Sequence, residues 1–488
     1  MMKFLKKLVD KSWKIILLIV TALLGILTLY LCLTVIPIIS DAKAYIAGIQ
    51  EGVSSRSIEK KSEILNKDLD NIFMQLNKPF IKQIVSTAGL DFSTIKPELK
   101  SLITSGPDLA GIRTPQKYLL AFQNSAEARG TGGILGAYAI VIINKGKLNV
   151  EHTGSNIALK SLNEIPILVP DEYKQLYRSD PAIWQNSNLS PHFPYAARIW
   201  MALWERQYHE KLDGVIAIDP TALSYILKAT GPIRLPSSEK VNSNNVVYKV
   251  LSEAYKRFEF DNIARKQYLV EIMNATFAKI TVGSFSKIRM ATALKRSIEE
   301  NRILVYTNNS SVEKNIAQSV LAGDLSTNAK NQYRVVIQNI DASKLDYYLD
   351  RKISVKTLTC GDVRTTQISV KVTNSLKTGA GLPAYVLTRA DKTKPIGMIT
   401  GQHRFLVFIY GPIGSSLVHA KRSSTFGSAG GVGTELGRPI LVSDLDLSPL
   451  MSEKITATFT RGSGKLTYFD QPLVRKSSIT INDKCKGQ

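Results

Sequence analysis

The hydrophobic pattern divides the chain into segments that differ in the spacing of their apolar residues. Between Ile15 and Ile39 there are 25 residues without a charge. At about 1.5 Å per residue, a helix of that length exceeds a hydrocarbon core of roughly 30 Å. The pattern therefore predicts a transmembrane helix at 15–39. Residues 1–14 contain five lysines and one aspartate, so the positive-inside rule predicts a cytoplasmic head and an extracytoplasmic remainder.

A cleaved signal peptide is the alternative interpretation, because Ala42 and Ala44 have the small-residue spacing of a cleavage site. The apolar region of a signal peptide spans about 7–15 residues, and the apolar region of this chain is much longer. No later segment of the sequence reaches that length without a charge. The favoured prediction is a single-pass protein of the cell membrane with its bulk outside the cytoplasm.

The rest of the chain contains three segments with different patterns of apolar residues. Residues 40–112 carry apolar residues at helical intervals, among them Ile64, Leu65 and Leu69, which predicts a helical juxtamembrane spacer. From 113 to 325, apolar runs such as KYLLAFQ and DGVIAID alternate with helical segments, which predicts a mixed α/β domain. From 331 to 488, short alternating runs separated by Gly, Asn and Ser predict a β-sandwich-like domain.

Several local predictions are more specific. The region from Asn245 to about Ile280 has the pattern of one long helix. The run AYVLTR, which begins at Ala384, is predicted as a strand of the sandwich, and the glycine-rich run 424–437 is predicted as a loop.

Charge changes this picture, because the formal net charge is +23. The cytoplasmic head accounts for four of these charges, which leaves a surplus of 19 positive charges outside the membrane. A surplus of that size predicts attraction to polyanions. Outside a cell, such partners are acidic lipid headgroups or phosphate-bearing envelope glycans. Nucleic acid is an unlikely partner, because no interleaving of aromatic and basic residues accompanies the charge.

Four glycines fall between Asn124 and Gly136, in the stretch NSAEARGTGGILG. Their spacing is not GxGxxG, and a strand follows where a dinucleotide site needs a helix. Two interpretations remain open. In the first, the glycines allow backbone N–H groups and Arg129 to approach a phosphate. In the second, they form a tight β-turn in which Glu127 and Arg129 pair with each other.

A second group of charged residues lies in YKRFEFDNIARKQYLVEI, where Arg257, Asp261 and Arg265 are spaced i, i+4, i+8. On one continuous helix all three would share a face and form a fork-shaped anion site. Two structural interpretations compete with this one. The residues form a solvated salt-bridge ladder, or Asp261 is an N-cap that interrupts the helix.

The cysteines and the other motifs add little chemistry. Cys32 lies in the predicted span, so Cys360 and Cys485 are the pair available for a disulfide, with two free thiols as the alternative. The sequence contains neither CxxC nor HExxH, and no metal site is predicted from such motifs. Asp213 and Asp219 lie at opposite ends of one strand, too far apart to share a substrate bond.

The motifs NSAEARGTGG, KLDGVIAIDPTALSYILKATGPI and KLDYYLDR together resemble DUF4012, a domain-of-unknown-function family of membrane-anchored exported bacterial proteins. The resemblance runs from about Tyr118 to Asn374. It implies an extracytoplasmic envelope protein, and it implies no particular reaction because the family carries no established activity.

The order of elements is also similar to that of the LytR-CpsA-Psr family. Members of that family transfer glycan polymers from a polyprenyl pyrophosphate carrier to the cell wall, using arginines and a magnesium ion held by carboxylates. The resemblance implies that Arg129 corresponds to the arginine of the first motif of that family. It also implies that the last motif falls near four residues of this chain, which are Arg257, Asp261, Arg265 and Gln267.

Two departures from the LytR-CpsA-Psr pattern concern the metal. The aspartate that follows the first arginine is replaced by Thr131 and Gly132, and HTGSN (152–156) stands where an Arg-Asp pair is expected. A magnesium ion would lack these oxygen ligands. Glu127, or Asp180 beside Arg178 in YRSDP, are candidate substitutes. Mg²⁺ is therefore expected only if the chain is a phosphotransferase.

Three functions follow as hypotheses. The first is a membrane-anchored extracytoplasmic protein that binds phosphate-bearing envelope glycan or polyprenyl-phosphate lipid. The second is a LytR-CpsA-Psr-like phosphotransferase that attaches glycan polymers to the cell wall. The third is a non-catalytic surface scaffold or adhesion protein. The predicted segments are the same in all three: 1–14, 15–39, 40–112, 113–325 and 331–488.

Overall fold

The computed structural model describes residues 41–45, 47–49, 53–78, 95–282, 285–326, 331–360, 363–388, 399–424, 430–461 and 464–484. The chain divides into two units. Unit 1 comprises Met1–Pro115 and Asn144–Lys147, and unit 2 comprises Gln116–Ile143 and Leu148–Gln488. The predicted transmembrane helix at 15–39 lies outside the described residues. Among the residues that are described, no helix is both long and apolar enough to cross a membrane.

Unit 1 is helical, as predicted for the segment after the apolar run. Its helices are α1 (Ser55–Leu76) and α2 (Ile95–Leu109). Leu65 and Leu69 of α1 pack with Ile103 of α2 in a small apolar core. Ile64 lies on the other side of α1, with 43% of its surface exposed. The helix is therefore amphipathic, with one apolar stripe buried against its neighbour.

A five-stranded mixed sheet, here called the central sheet, organises the first part of unit 2. Its strands are β1 (Gln116–Arg129), β2 (Gly132–Asn144), β3 (Lys147–Ser155), β4 (Gly214–Ile218) and β7 (Ile303–Thr307), in the order β3-β2-β1-β4-β7. β1 pairs with β2 antiparallel and with β4 parallel, and β4 pairs with β7 antiparallel. A separate small hairpin consists of β5 (Ile233–Arg234) and β6 (Lys240–Val241).

The helices of unit 2 lie between and after these strands. They are α3 (Asp171–Tyr177), α4 (Phe193–Tyr208), α5 (Pro220–Thr230), α6 (Val246–Tyr248), α7 (Ala254–Arg257), α8 (Asn262–Val282), α9 (Lys287–Glu299), α10 (Ser310–Ile316) and α11 (Ala384–Leu387). A π-helical stretch, Lys249–Glu253, joins α6 to α7. Short 3₁₀ turns cover Asn156–Ala158, Asp180–Ala182, Val320–Ala322 and Leu345–Tyr348. The alternation of strands and helices confirms a mixed α/β fold.

Two further sheets of unit 2 form the predicted sandwich. Sheet C has the order β13-β14-β11-β8-β16, and sheet D has the order β12-β15-β10-β9-β17. The strands are β8 (Gln332–Asn339), β9 (Leu349–Cys360), β10 (Arg364–Asn374), β11 (His403–Tyr410), β12 (Leu417–Arg422), β13 (Gly431–Glu435), β14 (Arg438–Leu447), β15 (Ser452–Arg461), β16 (Thr467–Phe469) and β17 (Ser478–Asn482). Side chains of both sheets share one apolar core, as expected for a sandwich.

Sheet C is buried on both faces. Val335 of β8 and Phe405 of β11 belong to the core of the sandwich. Their neighbours Val336 and Phe408 belong to a second core, formed with α4 and the central sheet. This double burial explains the unbroken apolar runs VVI in β8 and FLVFIY in β11, whereas strands with one solvated face alternate.

The structure differs from three local predictions. The helical region after Asn245 is interrupted at 258–261, between α7 and α8. Ala384–Leu387 is a helical turn and not a strand. Part of the predicted loop 424–437 is strand β13, where Gly433 lies against Leu176, which would be 2.9 Å from an added Cβ atom. Cys485 and the side chain of Cys360 lie outside the description, so the disulfide stays a prediction.

The glycines after Arg129 allow main chain to approach main chain. A Cβ atom at Gly133 would lie 2.2 Å from the carbonyl carbon of Asn124, and one at Gly130 would lie 2.2 Å from the carbonyl oxygen of Leu189. Contacts this short are not relieved by rotating a side chain. The glycines are therefore required by packing in the fold itself.

We expect Gly133→Ala to destabilise the protein by at least about 2 kcal/mol, because the backbone of β1 would have to move. Gly431→Ala is the matched control. It is also a strand glycine, but no atom lies within 4 Å of its added Cβ, and its effect should stay within about 0.5 kcal/mol. Urea unfolding of the full chain in detergent, followed by circular dichroism, measures both. Equal stability of the two variants would contradict this account.

Candidate functional site

The candidate site begins at a bulge in β1. Asn124 pairs with Ile134, and Ala128 pairs with the adjacent Gly133, so residues 125–127 have no partner in β2. A bulge of this kind redirects the side chains that it carries. It is held by two hydrogen bonds, in which the amide of Ala126 donates to Asn124 Oδ1 and the amide of Ala128 donates to Asp346 Oδ2.

The bulge turns Glu127 into the interior, where it meets two cations. Glu127 Oε1 lies 2.9 Å from Arg129 Nη2, and Glu127 Oε2 lies 2.6 Å from Lys344 Nζ. All three residues are buried. Burial raises the pKa of Glu127, but the attraction of Lys344 and Arg129 is stronger, so the net pKa is below the usual value. Glu127 is therefore ionised at neutral pH.

Arg129 makes further contacts that tie it to the surrounding main chain. Its guanidinium donates to the carbonyl oxygens of Ala128, Gln185 and Asn339 and to the side-chain oxygen of Asn186. Arg129 and Glu127 therefore pair with each other inside the fold, as in the β-turn interpretation. In this arrangement the guanidinium of Arg129 is not presented to solvent.

A buried histidine–aspartate pair lies beside this ion pair. His403 Nε2 lies 3.3 Å from Asp346 Oδ1, and both side chains are completely buried. Asp346 Oδ2 accepts hydrogen bonds from Asn339 and from the amide of Ala128. Burial raises the pKa of Asp346, but His403 and these donors lower it further than burial raises it. The contact between His403 and Asp346 fixes the 3₁₀ turn Leu345–Tyr348. Lys344, which directly precedes this turn, thereby lies against the bulge of β1.

Two tyrosines extend the cluster toward α8. The rings of Tyr255 and Tyr385 stack with their centroids 5.8 Å apart. Lys344 Nζ lies 4.6 Å from the centroid of Tyr385, and the guanidinium of Arg265 lies 4.4 Å from that of Tyr255. Both distances are typical of cation–π contacts. The stacked rings therefore contact two cations, Lys344 and Arg265. Arg265 lies directly on the rings, with no carboxylate between them.

The next residue of α8, Lys266, is also buried. Lys266 Nζ donates to the carbonyl oxygen of Gly136 at 3.3 Å. Burial, together with the nearby charges of Arg265 and Lys344, lowers the pKa of Lys266 to about 7, and Glu127 opposes the shift. Among the described residues, no carboxylate forms an ion pair with Arg265 or Lys266. The cluster therefore carries more buried positive charge than negative charge.

An apolar cavity of about 40 Å³ adjoins the cluster. Its walls include Phe122, Leu223, Leu269, Ile272 and Met273, from the central sheet, α5 and α8. Two other wall residues contact the cluster directly. Asn124 donates to the hydroxyl of Tyr255 at 2.6 Å, and Gly136 accepts from Lys266. A buried cation and an apolar space therefore lie side by side.

The other residues predicted for an anion site lie at the surface. Arg257 ends α7, pairs with Glu239 at 2.5 Å and packs on the rings of Phe258 and Tyr268. Asp261 Oδ1 accepts from the amide of Ala264 and so caps α8. Arg257 and Arg265 therefore do not flank Asp261 on one continuous helix.

The remaining three candidates, Gln267, Arg178 and Asp180, are exposed. Arg178 ends α3 with a positive φ of 50°. These residues do not join the cluster around Glu127, although Gln267 follows Arg265 and Lys266 on α8.

The residues do not fit a magnesium ion in this arrangement. Both oxygens of Glu127 already accept from cations. Nowhere in the described part of the chain do three or more His, Cys, Asp or Glu side chains gather as a metal site would require.

Sequence reasoning missed five residues of the cluster, which are Lys344, Tyr255, Tyr385, His403 and Lys266. Lys344 and Asp346 begin the motif KLDYYLDR, and Lys266 directly follows Arg265, so both were adjacent to residues already singled out. Tyr385 and His403 carry no local signal. They reach the cluster only through the fold of unit 2.

Comparison with known proteins identifies a family for part of the chain. The family model described as "Protein of unknown function (DUF4012)" matches residues 113–255. This match confirms the resemblance inferred from NSAEARGTGG and KLDGVIAIDPTALSYILKATGPI. The third motif, KLDYYLDR, lies beyond the matched residues. No curated protein matches the sequence.

Nine chains of solved structures match. They include the transcriptional regulator yvhJ from Bacillus subtilis, with 10% identity, 43% of this chain and 77% of that chain covered, and a TM-score of 0.22. A transcriptional regulator from Enterococcus faecalis has 13% identity, 51% and 80% coverage, and a TM-score of 0.25. TagV from Bacillus subtilis has 13% identity, 43% and 80% coverage, and a TM-score of 0.23. TM-scores this low carry no argument about fold or activity.

The ion pairs of Glu127 make a testable contribution to stability. We expect Glu127→Gln to destabilise the protein by about 3–5 kcal/mol at pH 7, because Lys344 and Arg129 would lose their buried counter-charge. Glu205→Gln is the control, since Glu205 is half-exposed and lies 4.0 Å from Lys211. That change should cost less than about 1 kcal/mol.

The pH dependence of unfolding separates lost charge from lost packing. Because the pKa of Glu127 is lowered in the folded state, its contribution is present above the unfolded pKa and is lost as pH falls below about 4.5. The free energy of unfolding of Glu127→Gln should therefore fall less steeply between pH 5 and pH 3 than that of the wild type. Parallel curves would contradict a lowered pKa of Glu127 in the folded state.

Proposed function

We propose that the protein binds an anionic, phosphate-bearing ligand of the cell envelope, with the phosphate near Arg265 and Lys266. The favoured ligand is a polyprenyl-phosphate lipid, and a phosphate-bearing glycan is the related alternative. The observation that supports this most strongly is a pair of adjacent buried cations with no carboxylate partner among the described residues. We further propose that the protein is anchored by residues 15–39 and acts outside the cytoplasm.

The energetic argument rests on desolvation. Removing a cation from water costs several kcal/mol unless an opposite charge compensates for it. Lys344 has Glu127 as its counter-charge, whereas Arg265 has aromatic rings and the side-chain oxygen of Asn262. A phosphate that entered beside Arg265 and Lys266 would supply the missing negative charge. Arginine can bind two phosphate oxygens at once, which adds geometric selectivity.

The apolar cavity favours a lipid over a free anion. Its wall at Gly136 also accepts the hydrogen bond of Lys266, so a ligand with an anionic head and an apolar tail would contact both features. The cavity volume of about 40 Å³ holds only a few water molecules. Binding of a tail therefore requires α8 to move away from the central sheet.

The exposed residue Asn262 marks the side from which a ligand would arrive. Its side-chain oxygen accepts from Arg265, and a phosphate oxygen would take its place. Arg129 has a supporting role in this proposal, because it holds Glu127 in place.

We expect Lys266→Met to weaken binding of polyprenyl-phosphate liposomes at least tenfold, because a charge-assisted hydrogen bond is worth about 1.5–3 kcal/mol. The same change should raise the unfolding midpoint, since it removes an uncompensated buried charge without leaving a cavity. Arg265→Gln should also weaken binding. The full chain in detergent is titrated with liposomes, and stability is measured on the same preparations.

Lys314→Met is the matched control, because Lys314 is exposed on α10 and has no ion pair among the described residues. It removes the same charge and should leave affinity within about twofold. Unchanged affinity of Lys266→Met and Arg265→Gln would refute the proposal. If the wild type releases phosphate from a polyprenyl pyrophosphate when magnesium is added, the binding function is replaced by the phosphotransferase hypothesis.

The charge of Lys266 predicts how affinity depends on pH. Because its pKa is about 7, Lys266 is mostly cationic at pH 6 and mostly neutral at pH 8. Affinity for a dialkyl phosphate, whose single charge is constant over this range, should therefore fall severalfold from pH 6 to pH 8. The affinity of Lys266→Met should be nearly independent of pH. A wild-type affinity that rises with pH would contradict the assignment.

A further inference from the structure

A second basic surface lies on sheet D, far along the chain from Arg265. Sheet D buries one face in the core of the sandwich, where Ile353, Val370 and Ile455 meet. Side chains alternate along each strand, so the neighbouring residues point away from the core. We call this outward surface of β9, β10, β12, β15 and β17 the lysine face.

The strand register places three lysines of the lysine face in one row. Lys371 of β10 is opposite Lys454 of β15 and also opposite Lys352 of β9. Adjacent strands are about 4.8 Å apart, so the three side chains leave the sheet as direct neighbours. All three are exposed.

Two more lysines flank this row. Lys421 of β12 is opposite Thr456 of β15, and Lys356 of β9 is opposite Gln367 of β10. Both lysines are exposed. Among the described residues, none of the five forms an ion pair. Asp350, which lies two residues before Lys352 on β9, is already paired with Arg475 at 3.0 Å.

Like charges directly opposite each other in a sheet are destabilising. The row formed by Lys454, Lys371 and Lys352 therefore works against folding in the absence of a counter-charge. Stability alone would favour a carboxylate at the middle position, where it could pair with both neighbours. The arrangement favours a ligand that brings several negative charges at once.

Polar uncharged side chains fill the positions between the lysines. Ser369 is opposite Ser354 and Thr456, and Thr458 is opposite Gln367. Ser369 and Thr458 are buried, whereas Ser354, Gln367 and Thr456 are partly exposed. Hydroxyl and amide groups that are exposed can donate to phosphate oxygens and can also bond with sugar hydroxyls. The outward positions 352, 354 and 356 of β9 carry no apolar side chain, so this strand has nothing to insert into a bilayer. These features favour a hydrated polymer over a membrane surface.

We propose that the lysine face binds a linear, phosphodiester-linked glycan polymer, whose successive phosphates contact Lys352, Lys371 and Lys454. The polymer lies flat on the sheet, and its sugar or polyol hydroxyls bond with the partly exposed side chains of Ser354, Gln367 and Thr456. This site doesn't depend on the proposed lipid site at Arg265, because it shares no residue with it. Affinity should show the salt dependence of polyanion binding.

The test uses the full chain in detergent and a poly(glycerol phosphate) oligomer as the probe. We expect the triple variant Lys352→Gln, Lys371→Gln, Lys454→Gln to lose at least about tenfold in affinity near 0.1 M salt. The slope of log affinity against log salt should become shallower by about two, since three phosphate contacts are removed. The control triple variant is Lys228→Gln, Lys240→Gln, Lys314→Gln. It removes three exposed lysines from scattered positions of unit 2 and should change affinity by less than threefold.

Lys371→Glu separates binding from folding. A carboxylate at this position would face Lys352 and Lys454, so the unfolding midpoint should rise or stay constant while polymer binding is lost. Equal losses in the two triple variants would overturn the proposal, because only total charge would then matter. Tighter binding of phosphatidylglycerol vesicles, or of a single-stranded oligonucleotide of equal charge, would also overturn the assignment to a glycan.

Discussion

The buried contact of Glu127 with Lys344 and Arg129 holds the candidate site together. Glu127 lies on the bulge of β1, whereas Lys344 lies 217 residues later, at the entrance to β9. Through this contact the end of the central sheet is fixed to the sandwich within unit 2. A buried ion pair adds little net stability when it is complete, but losing one partner leaves an uncompensated charge. The contact therefore specifies which segments meet more than it contributes to the total free energy of folding.

The contact of Glu127 with Lys344 and Arg129 also sets the positions of the other cations. Lys344 contacts Tyr385, the stacked tyrosines contact Arg265, and Lys266 follows Arg265 on α8. Only the first of these cations has a carboxylate beside it. The buried cations of α8 are Arg265 and Lys266. The groups around them are held in place by the contacts of Glu127 and Asp346. A phosphate at this position would be recognised by its negative charge, because a neutral ligand could not compensate for the buried cations.

Local pattern was sufficient for most of the elements, and insufficient for the site. Apolar runs and periodicity predicted β1, α4, β4 and most strands of the sandwich, because each of them buries one face or both. It did not reveal the interruption before α8, where Asp261 caps a new helix in a sequence with a continuous helical pattern. Arg129 and Arg265 were chosen for their charge, which is a local property. Their surroundings depend on Lys344 and Tyr385, which no spacing rule connects to them. The row of lysines on sheet D depends in the same way on strand order, since alternation gives the face of a residue but not its neighbour.

The distribution of charge partners matters more than the total of +23. Many cations of this chain already face carboxylates, as Lys117 faces Glu151 and Glu210. Such groups contribute to net charge but offer little to an incoming anion. The cations near α8 and on the lysine face lack such partners in the described structure. Their environments differ, because the first are buried beside an apolar cavity and the second lie on a flat, hydrated sheet. A buried pair suits one phosphate with an apolar tail, and a spaced row suits repeated phosphates, so the two surfaces suit different kinds of anionic ligand.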